Sequence, residues 1–401
     1  MRRNLIFFTG LHLFLLLNVV PCSLSAQSLP TGQEIKFNPI STAVPFLTIT
    51  PDSRHGAMGN VGAATSPDAN SQYLNPSKYA FAEEKFGVSV SYTPWLRKLA
   101  DDINLACVSG FYRLDENQAI ASSLRYFSMG DVNLTGTDQQ VLGTVNPSEF
   151  AVDFSYSRKL SPYFSGGVAL RYIRTDLSGG YGQNTYSAGN AFATDFSFFY
   201  NKSWKGDVQE RTFAAGINFS NIGSKISYNQ GETKQFLPAN LRIGTCYTNA
   251  FDRDNSLSFS LDLNKLLVPT PSIKTSGGGN GNGIVLPDSN SGKSVIDGIF
   301  SSFSDAPGGM KEELEEVTVS AGLEYWYSKK FALRAGYFNE SRNKGNRKFF
   351  TAGVGVKTRI CAFDFSYLMP TAQNNPLANT IRFTVLFDAD SFKKLRIKNE
   401  E

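Results

Sequence analysis

Apolar and polar residues alternate one for one along most of this chain beyond residue 85. Residues 257–264 carry the pattern with least noise: Leu257, Phe259, Leu261 and Leu263 fall on one side, Ser258, Ser260, Asp262 and Asn264 on the other. Successive strand side chains face opposite sides of a sheet, so each such run predicts a strand with one greasy and one wet face. Bounded by turn residues, the alternation predicts fourteen strands. They fall near 86–92, 102–113, 117–128, 149–160, 162–175, 190–203, 212–222, 236–250, 254–266, 315–328, 330–339, 347–358, 360–369 and 379–388. Many approach the length of about 9–11 residues that a tilted strand needs to cross a bilayer.

The connections sort by parity. Those after even-numbered strands are brief, as at Asp115-Glu116-Asn117 and Leu160-Ser161-Pro162, while most odd-numbered ones are longer, above all 129–148, 176–189, 223–235 and 267–314. Bacterial outer-membrane barrels pair short periplasmic turns with longer outside loops. The expected fold is therefore all-β, a 14-stranded antiparallel transmembrane β-barrel at 86–388, with both termini periplasmic and a periplasmic tail at 389–401. Arg or Lys on the lipid face costs about 2–4 kcal/mol at the midplane, so Arg382 and Asp364 should face the lumen. Tyr92, Trp95, Tyr126, Tyr337 and Tyr367 near one rim, with Trp204, Trp326 and Phe331 near the other, suit interfacial girdles.

Composition narrows the setting. Arg2 and Arg3 precede an apolar run from Leu5 to Val20 and small residues ending at Ser25-Ala26, which reads as a signal peptide over residues 1–26. The mean hydropathy of −0.22 is compatible with membrane residence, because only alternate residues of a barrel strand face lipid. The net charge of +4 falls to +2 without the signal, too little to argue for nucleic acid. Cys107, Cys246 and Cys361 are scattered without metal-ligand or disulfide spacing, and His55 is the only histidine beyond the signal. Histidine triads and clustered metal sites are thereby disfavoured, and no cofactor is expected. Ser291-Gly292-Lys293-Ser294 ends like a phosphate loop, but Pro287 stands where its first glycine is required.

Residues 27–85 do not alternate and carry Pro39, Pro45, Pro51, Pro67 and Pro76. Such a segment before the first strand suits a plug folded into the lumen; a periplasmic tail is the other option. Gly59-Asn60-Val61-Gly62-Ala63-Ala64, Pro67-Asp68-Ala69 and Leu74-Asn75-Pro76-Ser77 resemble the hatch signature of FadL-type barrels, with Gly59, Gly62, Asp68, Asn75 and Pro76 as its marks. The stretch from Ala43-Val44-Pro45-Phe46-Leu47 through Asp52-Ser53-Arg54, with the ending Leu377 to Asp388, is closer still to the PorV (LptO) family of the type IX secretion system of Bacteroidota. That resemblance implies a non-enzymatic outer-membrane shuttle. Its partners would be secreted cargo with a conserved C-terminal β-domain, the translocon SprA/Sov, the sortase PorU with its attachment complex, and outer-membrane lipopolysaccharide. A FadL-like transporter of hydrophobic small molecules is the alternative. A lipid A deacylase is a third, for which the sequence offers no catalytic group.

One connection stands out as an interaction element. Pro269 and Pro271 open it, Gly277 to Gly283 form a flexible tether, and Glu312, Glu313, Glu315 and Glu316 close it. Between them Val295, Ile296, Ile299, Phe300 and Phe303 recur at helical spacing, a stripe that would meet a partner or fold over the barrel's own mouth.

Overall fold

The computed structural model describes residues 37–178, 187–206, 209–228, 234–271, 292–358, 360–372 and 375–388. The expected signal peptide at 1–26, residues 27–36, the expected tether at 277–283 and the expected tail at 389–401 lie outside the described residues. Fourteen strands close into one barrel in which the first pairs with the last. They are β1 Phe86–Pro94, β2 Asn104–Arg113, β3 Gln118–Ser128, β4 Ser148–Ser161, β5 Phe164–Asp176, β6 Gly189–Lys205 and β7 Glu210–Gly223. The second half follows as β8 Asn240–Ala250, β9 Ser256–Leu266, β10 Thr318–Tyr327, β11 Phe331–Asn339, β12 Lys348–Lys357, β13 Ala362–Pro370 and β14 Ile381–Asp388. Every neighbouring pair is antiparallel, and the shortest pairings, those of β14, still run over six residues on each side.

The period-two pattern becomes a two-faced wall. Leu257, Phe259, Leu261 and Leu263 are exposed on the outside, while Ser260 and Asp262 are buried on the inside. Arg382 and Asp364 are likewise buried inward. An exterior this apolar would be a liability in water and is the natural surface against lipid hydrocarbon. The connections keep their parity, from 162–163 to 251–255 after even strands and from 340–347 to 267–317 after odd ones.

Three local features differ from the alternation. The eighth strand starts at Asn240, four residues later than the pattern places it, because Pro238 has no N–H for a ladder and Phe236 and Leu237 turn into a buried cluster. Two long connections carry small hairpins of their own, Val132–Thr135 with Val141–Val145 and Ile226–Ser227 with Lys234–Gln235. Trp95 and Trp326 do not join a girdle. Each instead lies by a guanidinium of an inward-facing arginine, Arg382 and Arg334 respectively.

Candidate functional site

Residues 37–85 occupy the inside of the ring. Asn38 donates its backbone N–H to Asn343 (2.9 Å) among the long connections, and residues 83–85 lead into β1 at the short-turn end. The segment therefore descends once through the barrel. Residue 38 thus lies among the long connections, whereas Asp388 ends β14 at the opposite rim; the termini themselves, expected to be periplasmic, lie outside the described residues.

Short turns rather than long helices shape this inner segment, and its side chains cap its own backbone. Asp52 accepts the His55 N–H at the start of α1 (Ser53–Gly56). Asn75 accepts the Ser77 N–H ahead of a 3₁₀ turn at Pro76–Phe81, where Pro76 needs no donor. The five signature residues all lie in this segment but meet different parts of the ring. Gly59, at φ +67°, gives its N–H to Thr351 of β12 (2.9 Å), and Gly62 gives its N–H to Asp262 of β9 (2.7 Å). Asp68 receives Arg54, and the Asn75 amide reaches Ala63 O (2.9 Å) and Phe198 O of β6 (3.0 Å).

Contacts with the wall are dense and polar. Hydrogen bonds join the inner segment to Thr93, Ser109, Arg125, Ser155, Ser165, Ser197, Asn218, Arg242, Asp262, Glu324, Thr351 and Thr384, at least one on each of β1–β10, β12 and β14. On β11 the contact is steric: a Cβ on Gly336 would lie 2.1 Å from the Gly59 nitrogen. Arg54 makes the strongest tie, a forked bond to Glu324 (2.9 and 2.7 Å), which Arg334 also holds (2.7 Å) while reaching Asp364 (2.6 Å). Sequence reading noted Arg54 only as part of a resemblance; its partner lies 270 positions away, beyond any local signal.

His55 is explained by the same packing. Its Nδ1 meets Asp52 (3.0 Å) and its Nε2 meets Thr65 Oγ1 (3.1 Å), a row ordered like a nucleophilic triad. All three residues are sealed from solvent, at 2% exposure or less, so the row pins backbone rather than meeting a substrate.

At the long-connection rim, α2 (Val295–Ser301) and α3 (Met310–Glu315) lie over the mouth. Lys265 bonds Glu313 (3.0 Å) and Glu316 (2.5 Å), and Lys344 bonds Glu312 (2.7 Å) and Glu316 (3.0 Å). Gly298 fits against Phe236 and Pro269, where a side chain would collide. With Glu312, Glu313 and Glu316 turned down, the cover presents apolar residues outward: Ile296 is 65% exposed, Phe300 73% and Phe303 46%, a single i, i+4, i+7 row. Met310 and Leu314 extend it, while Val295 and Ile299 are half-buried beneath. Beneath the cover, between inner segment and wall, is a cavity of about 370 Å³.

A family profile described as type IX secretion system protein PorV matches residues 32–273, more than half of the chain. Among solved structures the chain is similar to the toluene transporter TodX of Pseudomonas putida, with 12% identity and a TM-score of 0.49 over 89% of this chain and 100% of that one. The toluene transporter TbuX of Ralstonia pickettii aligns with 12% identity and a TM-score of 0.47, over 84% and 97%. A FadL homologue of Pseudomonas aeruginosa gives 12% identity and 0.41, over 88% and 99%. The search among curated proteins gave no match.

Proposed function

Because the chain belongs to the PorV family of type IX secretion system proteins, we propose that this outer-membrane barrel is a closed, non-catalytic shuttle. It takes secreted cargo by a C-terminal β-domain after the SprA/Sov translocon and presents it to the PorU-containing attachment complex. In this reading the long connections face the cell exterior and the short turns the periplasm.

The observation that carries the proposal is the inverted cover at the mouth. Glu312, Glu313 and Glu316 are buried in ion pairs with Lys265 and Lys344, and its apolar row Ile296, Phe300 and Phe303 faces solvent. Exposed contiguous apolar surface favours a protein partner, and a two-turn helix offers the spacing of a groove anchor. The open edges of the Val132–Thr135 and Val141–Val145 hairpin would let a cargo strand pair beside it. Signature residues Gly59, Gly62, Asp68, Asn75 and Pro76 serve to hold the inner segment shut. Small-molecule transport, the rival, would need a route past a segment bonded to twelve strands inside a closed barrel, whose ladder shifts register only at Lys159–Ser161 and Thr194–Phe196.

Native purification from outer membranes decides between them. Cargo with the shared C-terminal domain should co-purify with the wild type and be lost from an Ile296→Asp, Phe300→Asp, Phe303→Asp variant that still forms a heat-modifiable barrel. Cargo retained at wild-type level by that variant removes the cover from the mechanism.

A further inference from the structure

The cavity under the cover is lined by groups that water-soluble chemistry would want to meet. Among the described residues, five buried polar atoms without a hydrogen-bond partner belong to its lining: Asn60 Oδ1, Arg125 Nε, Asn264 Oδ1, Ser320 Oγ and Arg382 Nη1. Buried polar atoms are satisfied in nearly all native structures, so a cluster of orphans around one cavity points to an occupant. Two of them are guanidiniums at 1% exposure.

Arg382 is the least compensated. Among the described residues its one hydrogen bond is from Nε to Thr50 O (3.1 Å) and no carboxylate lies within ion-pair distance; Gly56 packs against its side chain and the Trp95 ring lies at 6.0 Å. The nearby Asp52 is already engaged by His55 and Tyr73. Arg125 touches Leu47 O (3.3 Å) and stands 3.6 Å from Asp153, a carboxylate also held by Arg171 and Ser123. The lining's acidic residues are spoken for as well: Glu316 by Lys265 and Lys344, Glu340 by Arg347. A buried cation without a counter-ion is costly, and an incoming anion would relieve that cost.

The unpartnered acceptors define the rest of the ligand. Asn60 Oδ1 and Asn264 Oδ1 call for donors, which a simple anion lacks and a hydroxyl supplies. We propose that the cavity binds an acidic sugar-like group, with its carboxylate or phosphate on Arg382 and Arg125 and its hydroxyls on Asn60 and Asn264. At about 370 Å³ the space falls in the size range of small-molecule sites.

Calorimetric titration of the full-length protein in neutral detergent tests this with four probes: glucuronate, glucose 1-phosphate, glucose and inorganic phosphate. Glucuronate or glucose 1-phosphate should bind at least about tenfold more tightly than both glucose and inorganic phosphate, as a charge-assisted bond plus hydroxyl contacts requires. Whichever acid binds better identifies the source as carboxylate or phosphate. Arg382→Gln should weaken that probe by about tenfold or more while leaving glucose unchanged, and Asn264→Ala should weaken the sugar acids but not inorganic phosphate. Because Arg382 is buried and its replacement could unfold the wall, the comparison of the two sugar acids with glucose on the wild type stands alone as a test. Neither sugar acid binding more tightly than glucose, inorganic phosphate binding as tightly as the better sugar acid, or no binding at all overturns the proposal.

Discussion

The inner segment and the cover at the mouth are both irregular pieces packed on the same barrel, yet they distribute polarity in opposite ways. The inner segment buries nearly everything it has, and satisfies it from both sides: Arg54 bonds Glu324 of the wall, while His55 and Lys78 bond Asp52, Gly62 and Thr65 of the segment itself. The cover buries Glu312, Glu313 and Glu316 with a few small residues and leaves Ile296, Phe300, Met310 and Leu314 outside. Buried ion pairs impose geometry more than they add stability. The first region is thus built to be fixed, whereas the second is fixed underneath and unfinished on top. An unfinished apolar surface is what an interaction leaves to its partner.

Cutting the inner network should produce the largest effect. Glu324→Gln leaves Arg54 and Arg334 short of a shared carboxylate and should cost about 3–5 kcal/mol. The lowered midpoint would appear in urea or thermal unfolding followed by electrophoretic mobility. Crowding the Gly336 contact comes next. Leu at that position drives into Gly59 and should cost about 1–3 kcal/mol by overpacking. The corresponding cut at the mouth should be local: Lys265→Met strips Glu313 and Glu316 of a cation, so proteolysis within 292–317 should speed up while global unfolding barely moves. An equal global loss from Lys265→Met would erase the distinction between the two regions.

Acid should separate them too. Burial pushes the Glu312 carboxyl up, but bonds from Lys344 and Asn38 more than offset it and hold it below its usual value. A depressed carboxylate lends stability above its unfolded value, and that stability is lost as pH falls through the depressed one. The cover should stay protease-resistant at neutral pH and loosen only below the ordinary Glu value of about 4.3. Glu312→Gln should be loose already at neutral pH.

The wall was legible because its signal repeats every two residues and lipid punishes exceptions. Strand number, loop parity and the inward turn of Arg382 all follow from that single rule. Pro238 marks where the alternation ran on too far, since an apolar pair before it belongs to the mouth. Trp95 and Trp326 show a second limit: an aromatic at a rim is equally at home against a buried guanidinium, and only the fold distinguishes the two. The inner segment gave up its turns, through Asn75-Pro76 and the Gly59 stretch, but not its partners. Arg54 with Glu324, or Gly62 with Asp262, are pairs set by closure of the ring, with no periodicity linking them. The unpaired state of Arg382 was invisible for the same reason, being a property of everything around it.

The smallest structural effect carries the most functional weight. Phe37 and Phe303 are both exposed, and residue 38 lies among the long connections, so both positions should sit on the same side of the membrane. Single cysteines placed there, in a background with Cys107, Cys246 and Cys361 replaced by serine, should react with an impermeant maleimide on intact cells. A cysteine at Asp254, in a short turn, should react only after the envelope is opened. Phe37→Cys should leave stability within about 0.5 kcal/mol, and Phe303→Cys gives up only a cation–π contact with Lys265 at 5.9 Å, about 0.5–1 kcal/mol. Labelling of Phe303→Cys should then be suppressed while cargo is bound, because the apolar row would be covered, and Phe37→Cys serves as the uncovered reference. Equal labelling at Asp254 and Phe303 on intact cells would break the assignment of the long connections to the exterior. Equal labelling of Phe303→Cys with and without cargo would leave the apolar row without a partner, and with it the reason for the contrast between the two regions.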